Sequence, residues 1–191
     1  MAEENNSLVL SFLTVRRALG ILGLALPCGL AAIGLIVNSQ IEDSISAFYY
    51  TIMGDVFVGT LCAIGVFLFA YKGYAPEPGE KISDQRVAQI AGAGAIVTAL
   101  IPTPRDMSPT CDPACIVTGL PDSVLHLAGA IVFLGATAVF CFVLFTRTHP
   151  GKAPDMRKRN ENWIYRACGT VIVAMVALLI AQFFVAPAGT L

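Results

Sequence analysis

Five long apolar stretches, separated by short polar connections rich in turn formers, divide the chain. They run about Ala18–Val37, Ile52–Tyr71, Arg86–Ile101, Val124–Phe145 and Trp163–Phe184. A helix rises 1.5 Å per residue, so about 20 apolar residues cross a hydrocarbon core of roughly 30 Å. The pattern predicts an all-α fold: a polytopic transmembrane helical bundle of five spans, with residues 1–191 as a single transmembrane domain. Ahead of the first span, Leu8–Leu13 is too short to cross and reads as an amphipathic lead-in along the interface. Pro27 predicts a kink near the middle of the first span. The third span is built of small residues, among them Ala88, Ala91, Gly92, Gly94, Ala95 and Ala99. Such residues let helix backbones approach closely in lipid, which predicts a central position and makes a homo-oligomer plausible. The fourth and fifth spans carry more Phe, Leu, Val and Ile, and should face lipid.

Composition and charge sharpen this picture. The chain is 56% hydrophobic and only 13% charged, against about 25% charged in soluble domains. A net charge of −1 gives no reason to expect nucleic acid as a partner. The distribution of charge is more informative than its sum. Of 12 Lys and Arg residues, all but Arg105 fall beside alternate connections. Arg16 and Arg17 precede the first span; Lys72, Lys81 and Arg86 lie between the second and third; Arg147, Lys152, Arg157, Lys158, Arg159 and Arg166 surround the connection from fourth to fifth. Cytoplasmic loops retain positive charge, so the N-terminus is expected inside and the C-terminus outside, in a bacterial cytoplasmic membrane. The first apolar stretch exceeds the roughly 7–15 residues of a signal-peptide core and reads as an uncleaved span.

Tyr71, Tyr74, Trp163 and Tyr165 sit where rings favour the headgroup level. Arg157, Lys158 and Arg159 should meet anionic lipid, which makes membrane lipids the expected partner.

Polar groups inside a bilayer are costly and need an explanation. Asp55 enters the second span and His126 the fourth, both about one turn from the expected outer end. These spans run parallel, so the two side chains share a depth. Tyr49, Tyr50 and Arg105 collect at the same level, with Ser44 and Ser46. The inference is an outer-leaflet polar pocket for a lipid headgroup or small polar solute, lined by Asp55, His126, Tyr49, Tyr50 and Arg105. An Asp55–His126 pair could relay a proton or orient a headgroup. The competing explanation is ordinary helix termination in the wet interface.

Two alternatives remain. A membrane-embedded lipid-modifying enzyme needs His126, a carboxylate and a serine or tyrosine within hydrogen-bond reach; Ser44 or Ser46 with His126 would be a nucleophile and its base, although spacing alone does not select them. A transporter or channel subunit needs a continuous polar path, and the inner half of the spans offers little beyond Gln89. No cofactor motif is found. No metal site is expected, because zinc takes three or four ligands and the second histidine, His149, falls on the opposite side. Cys111 and Cys115 flank Asp112-Pro113-Ala114 in an outer connection and form a disulfide candidate. Cys28, Cys62, Cys141 and Cys168 lie in spans and read as packing residues.

The run Ser44-Ile45-Ser46-Ala47-Phe48-Tyr49-Tyr50-Thr51, continued by Gly54-Asp55-Val56-Phe57-Val58-Gly59, resembles a pattern in uncharacterised bacterial multi-pass membrane proteins. These are distantly similar to the Frag/DRAM/Sfk-type membrane family. His126-Leu127 and the stretch from Arg159-Asn160 to Ile164-Tyr165-Arg166 carry the same resemblance. It implies a helical bundle, often of six spans rather than five, and no established reaction. The ceramidase and adiponectin-receptor group would imply a zinc site of three histidines, which this sequence lacks.

Overall fold

The computed structural model describes residues 2–38, 42, 44–73, 82–103, 120–148 and 155–185, and side chains are described within 14–37, 42, 44–73, 82–103, 120–148 and 155–181. Among the described residues the fold is all-α. Helix α1 is Ala2–Asn38, a short 3-10 segment covers Ile45–Tyr50, α2 is Gly54–Ala70 and α3 is Asp84–Leu100. Helix α4, Asp122–Val139, continues into a π-helical turn at Phe140–Leu144, and α5 is Met156–Val185. Each sequence-expected span thus corresponds to a helix, with shifted ends. The lead-in Leu8–Leu13 is not a separate element; α1 runs through it and through Pro27.

Local chemistry explains the helix starts. Ser83 is extended and its hydroxyl accepts from the Arg86 amide, opening α3. The Asp155 carboxylate accepts from the Met156 amide at 2.6 Å, so α5 begins a full two turns before Trp163. Arg157, Lys158 and Arg159 therefore lie on helix rather than in a loop. Gly73, at φ +64°, turns the chain after α2 with its backbone against Asp84; the left-handed conformation there is one that favours glycine.

Helix α3 is the centre of the bundle, as its small residues predict. A Cβ at Gly92 would stand 2.7 Å from the Gly65 carbonyl of α2, and one at Gly65 would stand 3.0 Å from the Gly92 carbonyl. On the other flank, a Cβ at Gly94 would stand 2.6 Å from the Phe133 amide nitrogen of α4, and one at Gly129 would crowd Thr98. Four glycines thus bring three backbones together, and Ala88, Ala91, Ala95 and Ala99 are buried to 1% exposure or less.

Two core clusters sit at opposite ends. One gathers Leu26, Leu30, Phe48, Phe57, Leu61, Ala95 and Ala99. The other gathers Tyr71, Val87, Ala88, Ala91, Ala136, Phe140 and Leu144. Tyr71 is buried edge-on against Phe140.

Among the described residues three helices are long and apolar enough to cross a membrane: Thr14–Val37 of α1, Asp122–Leu144 of α4 with its π turn, and Met156–Ala181 of α5. Helix α2 is apolar but shorter, and α3 spans 17 residues. The outer helices expose large apolar side chains, including Ile21, Leu24 and Ile36 on α1 and Val171, Met175 and Leu178 on α5. Apolar faces of this extent mark contact with lipid or another protein.

Candidate functional site

The 3-10 segment delivers the polar groups at one end of the bundle. Ser44 is extended and its hydroxyl accepts from the Ala47 amide at 3.2 Å, so this serine is occupied as a cap. Phe48 anchors the segment in the core. At its far end, the Thr51 hydroxyl donates to the Phe48 carbonyl at 2.8 Å and accepts from the Met53 amide at 3.1 Å. Gly54 then packs directly under the Tyr49 carbonyl, where a side chain has no room. These ties hold Ser46 and Tyr50 towards the ends of α3 and α4.

Ser46 meets His126. Its Oγ lies 2.8 Å from His126 Nε2, and His126 Nδ1 lies 2.5 Å from the Ile101 carbonyl oxygen. A carbonyl only accepts, so Nδ1 carries the proton and donates to it. For the neutral imidazole, Nε2 is then an acceptor, and the Ser46 hydroxyl donates to it. Tyr50 makes a parallel tie, its hydroxyl donating to the Thr103 carbonyl at 2.8 Å. The 3-10 segment is thereby fastened to the residues after α3 and to α4.

A carboxylate joins this end that sequence reasoning passed over. Asp122, in the first turn of α4, is 7% exposed, and its Oδ1 is buried with no hydrogen-bond partner. It precedes His126 by one helical turn, a spacing that puts Cβ atoms about 5–6 Å apart on one face. The helix N-terminus favours its charge but leaves the lone acceptor unexplained. Buried polar atoms are nearly always paired, and an exception calls for a ligand, water or a functional role. The signal in sequence was Pro121-Asp122-Ser123, a helix start, with a carboxylate four residues before the histidine.

Asp55 and His126, grouped by expected depth in the sequence, have different surroundings in the fold. Asp55 is exposed on the first turn of α2, whereas His126 is 6% exposed and already bonded through both nitrogens. At about 100° per residue, Asp55 sits roughly 160° around α2 from the buried Phe57. Tyr49 is half-buried, packed against the core and edge-on to Tyr50 at 5.1 Å between centroids, rather than lining an open pocket. Arg105, Cys111 and Cys115 lie outside the described residues. Among the described residues no three His, Cys, Asp or Glu side chains gather as a metal site. Cys141 is buried and Cys62 packs against the core, while Cys28 and Cys168 are exposed.

The opposite end gathers cations. Arg147 donates to Asp84 at 3.3 Å and to the Ile82 carbonyl at 2.8 Å. Lys158 donates to the Phe145 carbonyl at 2.7 Å, and Arg16 of α1 lies 5.6 Å from the centroid of the Phe145 ring. Arg157 and Arg159 are exposed. The fold thus brings together cations from α1, α5 and the end of α4, as the charge pattern along the chain implies.

Comparison with family models, curated proteins and solved structures gave no match.

Proposed function

We propose that the chain is an integral membrane protein of five spans, with its cationic end inside, whose outer end binds a lipid headgroup or small polar solute. The single observation that carries the binding reading is the lone Asp122 Oδ1, buried one turn from His126. An acceptor of this kind recognises a hydrogen-bond donor, so the ligand class is one carrying hydroxyl or ammonium groups. The exposed apolar faces of α1 and α5 support the membrane setting, and the cations around Phe145 support the orientation by the positive-inside rule. Exposed Arg157 and Arg159 then face the anionic inner leaflet.

Native mass spectrometry of the protein released from membranes tests this reading. The wild type should retain a lipid or solute of defined mass, and Asp122→Asn should retain at least tenfold less. Asp55→Asn should retain as much as wild type. Equal retention by wild type and Asp122→Asn, with both folded by circular dichroism, would rule the site out.

A further inference from the structure

We infer that Ser46 is an acyl-accepting nucleophile, with His126 as its base, acting on a carboxylic ester whose alcohol portion carries hydrogen-bond donors. The inference rests on the binding reading above, because Asp122 is the group that would hold that alcohol portion.

Three observations converge on it. Ser46 Oγ stands 2.8 Å from His126 Nε2, within the distance at which an imidazole takes a hydroxyl proton. The Ile101 carbonyl accepts from Nδ1, which fixes the tautomer that leaves Nε2 free to accept. This is the orienting task that a buried carboxylate performs in serine hydrolase triads. Finally, the other nearby serine, Ser44, is committed to capping the 3-10 segment, whereas Ser46 gives its hydroxyl to the base.

The chemistry balances without a metal or redox partner. As the Oγ–carbon bond forms, the carbonyl π pair moves onto its oxygen and the Oγ proton passes to His126 Nε2. The oxyanion then collapses and the ester carbon–oxygen bond breaks. The departing alkoxide takes the Nε2 proton and leaves as the alcohol, with Ser46 acylated. Water, giving its proton to Nε2, attacks the acyl carbon; Ser46 Oγ leaves with that proton, and a carboxylic acid is released. A neutral carbonyl stabilises an imidazolium less than a carboxylate does, so turnover should be slow and a covalent probe is the sharper readout.

The full-length protein in nanodiscs is treated with a fluorophosphonate, which reacts by forming an Oγ–phosphorus bond and expelling fluoride. Intact mass and peptide mapping should show one adduct at Ser46, at least tenfold faster than at Ser44. Ser46→Ala should abolish it, and His126→Gln should slow it at least tenfold. Because His126→Gln could unfold the protein, the wild-type pH profile is a second measurement: labelling should rise as the imidazolium loses its proton. An unlabelled Ser46 in the folded wild type overturns the inference, as does labelling independent of pH or equally fast in folded His126→Gln. Ligand retention with no labelling removes the nucleophile and leaves the binding reading standing. Labelling of Ser46 with Asp122→Asn retention unchanged removes the binding reading instead.

Discussion

Ser46 and His126, 80 positions apart in the chain, meet through a 2.8 Å hydrogen bond that joins the 3-10 segment to α4. The same imidazole reaches the Ile101 carbonyl at the end of α3, so one buried side chain connects three parts of the fold. Removing the serine hydroxyl strands Nε2 without its donor. Ser46→Ala should lower stability by about 1–3 kcal/mol, the cost of an unsatisfied buried polar atom. Thermal unfolding in detergent checks this. In a double-mutant cycle with His126→Gln, the two losses should be less than additive; full additivity would mean that the pair is not coupled.

Glycine substitutions should divide by geometry. A Cβ at Gly94 meets α4 backbone at 2.6 Å, whereas one at Gly135 meets nothing within 4 Å. Gly94→Ala should destabilise by about 1–3 kcal/mol through forced separation of α3 and α4. Gly135→Ala should be neutral, or stabilising by up to about 1 kcal/mol from helix propensity. Equal unfolding temperatures for the two variants would show that α3 and α4 are not in backbone contact.

Two ion pairs among the described residues are of different kinds. Arg147 approaches Asp84, whose side chain is 9% exposed. Arg157 and Glu161, on consecutive turns of α5, are 86% and 40% exposed. Arg147→Met removes one charge-assisted hydrogen bond from a buried carboxylate and should cost about 1.5–3 kcal/mol. Arg157→Met should cost no more than about 0.5 kcal/mol. Urea or heat titration of both variants distinguishes them, and a negligible loss from Arg147→Met would show that other partners suffice for Asp84.

The threading of the chain has its own test. With five spans and the cationic end inside, the 104–119 connection lies outside and the Arg157–Arg159 turn inside. In a background with the remaining cysteines replaced, an impermeant maleimide on intact cells should modify Cys111 or Cys115, after reduction if they are bridged. It should not modify a cysteine placed at Arg159. Modification of both positions would overturn the five-span arrangement.

Much of the architecture is legible from residues alone because lipid and close packing act on composition. Long apolar runs must be helical in a membrane, where backbone polar groups have no water to bond. The small residues of the third span could pack well only against other helices, and α3 is indeed central, through Gly92 and Gly94. The cations gather around Phe145 because alternate connections return to the same end.

What the linear pattern could not decide was rotation and register. The charge and hydropathy pattern puts Asp55 and His126 at one expected depth, but a helix changes facing by about 100° with each residue. Gly54 and Phe57 turn inward on α2, and this carries Asp55 outward. Helix α4 is rotated so that Asp122 and His126 face inward together. Only the folded 3-10 segment, pinned by Phe48 and capped by Ser44, decides that Ser46 rather than Ser44 reaches the imidazole. Hydropathy reports how far along a helix a residue lies. Its partners depend on the contacts that fix each helix about its own axis, and those exist only in three dimensions.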